Sequence, residues 1–199
     1  MNRRTLLRLG TGVAAVALAG PGLAVTASDE RLVPVDLEPD RDWAIYRRYR
    51  LLVVGQRDDE TASALAAAVV DVLARFVPPS RAQLTRAADS RSVGVLIGTN
   101  QQDVAIMSAE SAEALFFARQ PFEDIRNVPL RVIVTLGSHV LVCRKDLMVD
   151  HVYLFARTLA EHKDAIPVRV GAPAGMVPAH RGSRAFFAGE RMSMPAGAA

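Results

Sequence analysis

Cysteine is all but missing from this chain. Cys143 stands alone, so neither an internal disulfide nor a cysteine-based metal cluster is available. Its setting, Val140-Leu141-Val142-Cys143, is that of a buried, inert thiol. Histidine is scarce too: His139, His151, His162 and His180 are the four. Their separations lack the close pairing on one helix face that zinc sites use, so no metal is expected. A phosphate-binding P-loop and a dinucleotide fingerprint after a strand are also missing. Ser138 and His139 are adjacent, and neighbours on an extended chain point opposite ways, so no nucleophile–base pair is expected of them. Glu110 and Glu113 share a helix face, but acid–base work by paired carboxylates would need burial. The expectation is a non-catalytic protein without a cofactor.

An excess of charge is lacking once its location is considered. The chain carries 24 Lys and Arg against 21 Asp and Glu. Arg3, Arg4 and Arg8 are the only charged residues before Asp29. Beyond them 21 basic residues face 21 acidic ones, which leaves no field for general nucleic-acid binding and predicts no nucleic-acid partner. With 50% hydrophobic and 23% charged residues, the composition is globular. The length of 199 residues suits one domain or two very small ones.

Residues 2–8 read Asn-Arg-Arg-Thr-Leu-Leu-Arg and precede an apolar run from Gly12 to Ala19. Small residues follow, and Val25-Thr26-Ala27 or Gly22-Leu23-Ala24 suits signal peptidase. This resembles a twin-arginine translocation signal, which implies export of an already folded protein to the periplasm. An uncleaved anchor is the competing reading, because no charge interrupts Leu9 to Ser28. Gly20, Pro21 and Gly22 oppose a stable span. The expected layout is a signal peptide at 1–27, a linker or arm at 28–48, an α/β domain at 49–190 and a disordered tail at 191–199. Within Arg41 to Arg50, arginines alternate with Trp43, Tyr46 and Tyr49. Such a mixture can meet nucleic acid or a membrane surface. In a neutral, exported chain a lead-in covering one edge of the core is favoured.

Short apolar runs and helical stripes then alternate. Tyr49 to Gly55 predicts a buried strand. Thr61 to Phe76 predicts a helix with Leu65, Val69, Val72, Leu73 and Phe76 inward, ended by Pro78-Pro79. Arg81 to Ala87 is a second strand with Ala82 and Leu84 inward. Asp89-Ser90 caps a short helix from Arg91 to Ile97. Val104 to Met107 is the third strand, and Ala109 to Arg119 a helix with Ala112, Leu115 and Phe116 inward. Leu130 to Leu136 and Val140 to Arg144 are strands joined at Gly137-Ser138-His139. His151 to His162 is a helix, Pro167 to Val170 a short edge strand, and Ser183 to Phe187 a final short helix. The succession predicts an α/β domain with a mostly parallel sheet flanked by helices.

From Gln102 to Phe122 and from Asn127 to Asp146 the chain reads QDVAIMSAESAEALFFARQPF and NVPLRVIVTLGSHVLVCRKD. These segments resemble the TAXI group of TRAP-transporter solute receptors, which belong to the type II periplasmic-binding-protein-like folds. Pro178-Ala179-His180-Arg181-Gly182-Ser183, with Phe186-Phe187, is similar to that group's terminal motif. The resemblance spans Tyr49 to about Glu190. It implies a periplasmic receptor for a small solute, served by membrane transporter subunits. Such receptors close two lobes on their ligand, whereas here the chain passes almost directly from Cys143 to the helix at His151. A single-lobe relative is therefore expected. Where the family has a glycine-rich loop after its first strand, this chain has Gly55-Gln56-Arg57-Asp58-Asp59, and Asp89 stands where a glycine is usual before Ser90.

In open α/β sheets ligands sit beyond the carboxyl ends of strands. The candidate contacts there are Gln56, Arg57, Ser90, Ser92, Ser108, Glu110, Thr135 and His139. Ser90 and Ser92, at a helix start, would present N–H groups to a carboxylate. Arg57 would suit an anion and Glu110 an amine. The expected ligand is a small polar or anionic solute. The alternative is an accessory protein that docks on a periplasmic enzyme or transporter through the face a second lobe would cover.

Overall fold

A computed structural model of the chain describes residues 50–192. The expected signal, the arm, Tyr49 and residues 193–199 of the tail lie outside the described residues. Six strands form one sheet: β1 (Leu52–Gln56), β2 (Gln83–Ala87), β3 (Val104–Ser108), β4 (Leu130–Leu136), β5 (His139–Arg144) and β6 (Val170–Gly171). Five helices flank it: α1 (Glu60–Phe76), α2 (Ser90–Gly98), α3 (Ala109–Phe116), α4 (Val149–Glu161) and α5 (Arg181–Phe187).

The sheet runs β2-β1-β3-β5-β4-β6. β1 pairs in parallel with both β2 and β3, as expected of strands joined through helices. The remaining half corrects the mostly parallel sheet that the sequence predicts. β5 is antiparallel to β3 and to β4, and β6 is antiparallel to β4. For β4 and β5 the cause is the link between them. Leu136 pairs with His139, so only Gly137 and Ser138 connect the strands, and a two-residue connection can join only antiparallel neighbours. Gly137 has φ 62° while Ser138 is not among the positive-φ residues, the pattern of a II′ hairpin turn with glycine first.

The two sheet faces carry separate cores. On one, Val53, Ile106, Leu141 and Cys143 meet Leu65, Val69 and Leu73 of α1 and Val152, Phe155 and Leu159 of α4. On the other, Val54, Ala105, Met107, Val140 and Val142 meet Val93 and Ile97 of α2, Leu115 of α3, and Phe122. Alternate residues of β3 and β5 thus supply both cores, as the period of a strand requires. Burial pushes the Cys143 thiol well above its ordinary pKa, consistent with an inert interior position.

The cap expected at Asp89 is present, and two further side chains cap helices. Asp59 caps α1, Asp89 caps α2 and Ser108 caps α3. α3 ends at Phe116, short of Arg119, because Ala118 turns to φ 50°. Phe76, expected in the core, is 37% exposed. Its ring stacks on His162 with centroids 3.4 Å apart.

The Pro178–Ser183 motif closes the outer side of β4. Val132 N–H donates to the Pro178 carbonyl at 3.0 Å, and His180 N–H donates to the Val132 carbonyl at 2.9 Å. Ser183 Oγ, fully buried, donates to the Ile133 carbonyl. Ile133 sits where the β4–β5 register shifts between Val132 and Val134. A bulge there leaves ladder groups unpaired, and the clip satisfies one of them. With β6 on Thr135 and Leu136, the edge of β4 is covered against pairing with other chains.

His180 is 2% exposed and caps α5. Its Nδ1 accepts from Gly182 N–H at 3.2 Å, and its Nε2 lies 3.2 Å from the Lys145 carbonyl. A carbonyl only accepts, so Nε2 carries the proton and the ring is neutral. Burial lowers its pKa below the ordinary 6.5, outweighing the carbonyls of Lys145 and Leu147 that favour the charged form. The unfolded chain therefore binds the more protons between the two pKa values, and stability falls as pH drops. Urea unfolding between pH 7.5 and 4.5 should show full stability from His180 above 6.5. Below that, stability should decline by up to about 1.4 kcal/mol per pH unit. His180→Gln should reduce that slope, since the lowered pKa values of Asp59 and Asp89 place their losses at lower pH.

Candidate functional site

The carboxyl ends of β1, β2 and β3 and the β4–β5 turn share one edge of the sheet, through the pairs Gln56 with Ala87, and Ser108 and Leu136 with His139. A chain of side-chain hydrogen bonds occupies this edge. Asp59 Oδ1 accepts from Ala62 N–H at 2.8 Å, and Asp59 Oδ2 lies 2.9 Å from His139 Nε2. On the other side of the ring, Nδ1 lies 3.1 Å from Ser138 Oγ. His139 is buried at 7% exposure, whereas Ser138 is exposed. Burial alone would raise the Asp59 pKa, but hydrogen bonds from Ala62 N–H and His139, with the attraction of the His139 ring, hold it below the usual carboxylate range. An ionised carboxylate only accepts, so Nε2 carries a proton. In the neutral ring Nδ1 then presents a lone pair to the Ser138 hydroxyl.

This geometry corrects the expectation that Ser138 and His139 point apart. Ser138 belongs to the hairpin turn and not to extended chain, so the period-two rule does not reach it. Asp59 precedes the helical stripe of α1 and caps it. Its tie to His139, 80 residues on, has no local sequence signal.

The other predicted contacts divide into those at this edge and those bound elsewhere. Gln56 is 3% exposed and donates through Nε2 to the Ile106 carbonyl at 3.3 Å, so it braces β1 against β3. Ser108 Oγ accepts from Ser111 N–H at 3.1 Å and caps α3. Ser90 and Ser92 follow Asp89, whose Oδ1 accepts from Ser92 N–H at 2.6 Å. The helix start expected to receive a ligand carboxylate thus holds the protein's own. Thr135 Oγ1 donates to the Ala172 carbonyl at 3.1 Å, which points it to the C-terminal segment. Arg57 and Glu110 are exposed at the ends of β1 and β3.

Among the described residues no group of three or more His, Cys, Asp or Glu is placed to hold a metal ion. No described helix is long and apolar enough to cross a membrane. Compared with known proteins, the chain matches no family model and no curated protein sequence.

Proposed function

We propose that the described domain is a single-lobe binding domain of an exported, periplasmic protein related to the TAXI solute receptors. It takes a small polar solute at the edge bearing Arg57, Glu110, Ser138 and His139. The observation that supports this is the Asp59–His139–Ser138 chain. It holds a buried imidazole rigidly behind an exposed hydroxyl, on the side of the sheet where open α/β folds take ligands. The caps refine the solute class. Asp59 and Asp89 already place carboxylates on the starts of α1 and α2, so an incoming anion meets like charge and donors that are taken. A neutral or zwitterionic solute, with Arg57 and Glu110 for its charged groups, fits better than a simple anion. Transporter subunits are the implied partners in this reading.

The exposed, mixed-charge rim of Arg57, Asp58, Glu60 and Glu110 also suits docking on a periplasmic enzyme or transporter, which is the second reading. Thermal unfolding of residues 28–199 against amino acids, polyols and dicarboxylates separates the two. A solute at about 100 times its dissociation constant should add roughly 2.7 kcal/mol to stability. Amino acids or polyols should do so, and dicarboxylates should not. No shift across the panel, with a larger periplasmic protein co-purifying, overturns the solute reading in favour of docking.

A further inference from the structure

We infer that Ser138 is a nucleophile, and that the solute class taken at this edge includes small esters whose acyl group Ser138 accepts. This rests on the binding reading and deepens it. Three features carry it. The Ser138 hydroxyl is exposed and 3.1 Å from His139 Nδ1. The imidazole is buried and fixed from behind by Asp59 at 2.9 Å. Ala109 N–H, at the start of α3, donates to the Ser138 carbonyl at 3.0 Å. That last contact docks the turn against the start of α3 and fixes the Ser138 backbone beside the ring. Ser108, by contrast, uses its oxygen to cap α3.

The ring runs in the reverse sense from the usual serine triad, with serine on Nδ1 and carboxylate on Nε2, but the proton bookkeeping is the same. Ser138 Oγ forms a bond to the ester carbonyl carbon as its proton passes to Nδ1. The carbon–oxygen bond to the alcohol breaks, and the alcohol leaves with that proton. Water then attacks the acyl-serine, gives a proton to Nδ1, and releases the acid as Ser138 Oγ takes the proton back. Ester and water become acid and alcohol, with no oxidant or reductant. Asp59 is a positioning residue, acting through His139.

The test is covalent labelling of the folded protein with a fluorophosphonate, in which the serine oxygen displaces fluoride from phosphorus, read by intact mass and peptide mapping. One adduct on Ser138 is expected, absent in Ser138→Ala. Labelling should slow about 100-fold or more in His139→Gln. Asp59→Asn should change the pH profile of labelling, which a purely structural cap would leave unmoved. Release of 4-nitrophenol from 4-nitrophenyl acetate should follow the same order. No adduct on wild type, or equal labelling of Ser138→Ala, overturns the proposal, and the exposed Ser138 site makes that variant a usable control should His139→Gln fail to fold. A solute-induced thermal shift without labelling removes the nucleophile and leaves the binding reading standing. Labelling without any thermal shift does the reverse.

Discussion

Gly182→Ala lowers the unfolding free energy by about 3 kcal/mol or more, at the upper end of what overpacking does. A Cβ at position 182 would run into the Val149 carbonyl oxygen and lie 2.7 Å from Tyr153 N. Both atoms are backbone of α4, so no side-chain rotation relieves the overlap. α5 would have to back away from α4. His180, which caps α5 through Gly182 N–H, and Ser183, bonded to Ile133, would be pulled with it. Gly189→Ala is the control: nothing lies within 4 Å of its added Cβ, but its φ of 74° predicts a loss of about 1 kcal/mol from backbone strain alone. Urea unfolding of both variants checks the contrast. Equal losses would mean that the α4–α5 contact is looser than described.

Phe122→Ala should cost about 3–5 kcal/mol. Phe122 is fully buried in the core between the sheet and α2 and α3. Its ring comes so close to α2 that a Cβ on Gly94 would lie 2.9 Å from it. Truncation leaves a cavity walled by Gly94, Leu115 and the sheet, which rigid elements cannot collapse to fill. With about 2–4 °C per kcal/mol for a chain of this size, the midpoint should fall by roughly 6–20 °C in a calorimetric scan. Phe117, 41% exposed, gives the comparison: Phe117→Ala should change stability by only about 0.5 kcal/mol. A similar effect at both positions would contradict the burial of Phe122.

Local pattern carried most of the elements, and long-range pairing was what it could not carry. The stripe at Leu65, Val69, Val72 and Leu73 lies in the core as its spacing predicts. Asp89 caps α2 because a short acceptor before a helical run satisfies the first N–H groups wherever it occurs. The antiparallel pairing of β4 with β5 lay in Gly137-Ser138, a connection too short for anything else, and the expectation of a mostly parallel sheet overlooked it. The insertion of β5 between β3 and β4 had no local marker. At the site, Gln56, Ser108 and His139 do lie at one edge, because strand ends of one sheet must. Their side chains proved to be braces and caps in two of the three cases, which depends on partners such as Ile106 that spacing does not reveal. Thr135 failed for a related reason: its neighbour across β4 is the C-terminal segment at Ala172, a pairing set by the last part of the chain. The terminal Pro178–Ser183 motif fastens β4 in this fold, through His180 and Ser183.

The proposed solute site lies at the edge behind Ser138. Ser138→Trp tests it most directly, because Ser138 is exposed in the turn and its replacement spares the caps at Asp59 and Ser108. The solute panel run on this variant beside wild type should show an unliganded midpoint within about 2 °C of the parent, in line with a surface change. The solute-induced shift should vanish. A shift retained in Ser138→Trp would place binding elsewhere and overturn the proposed site.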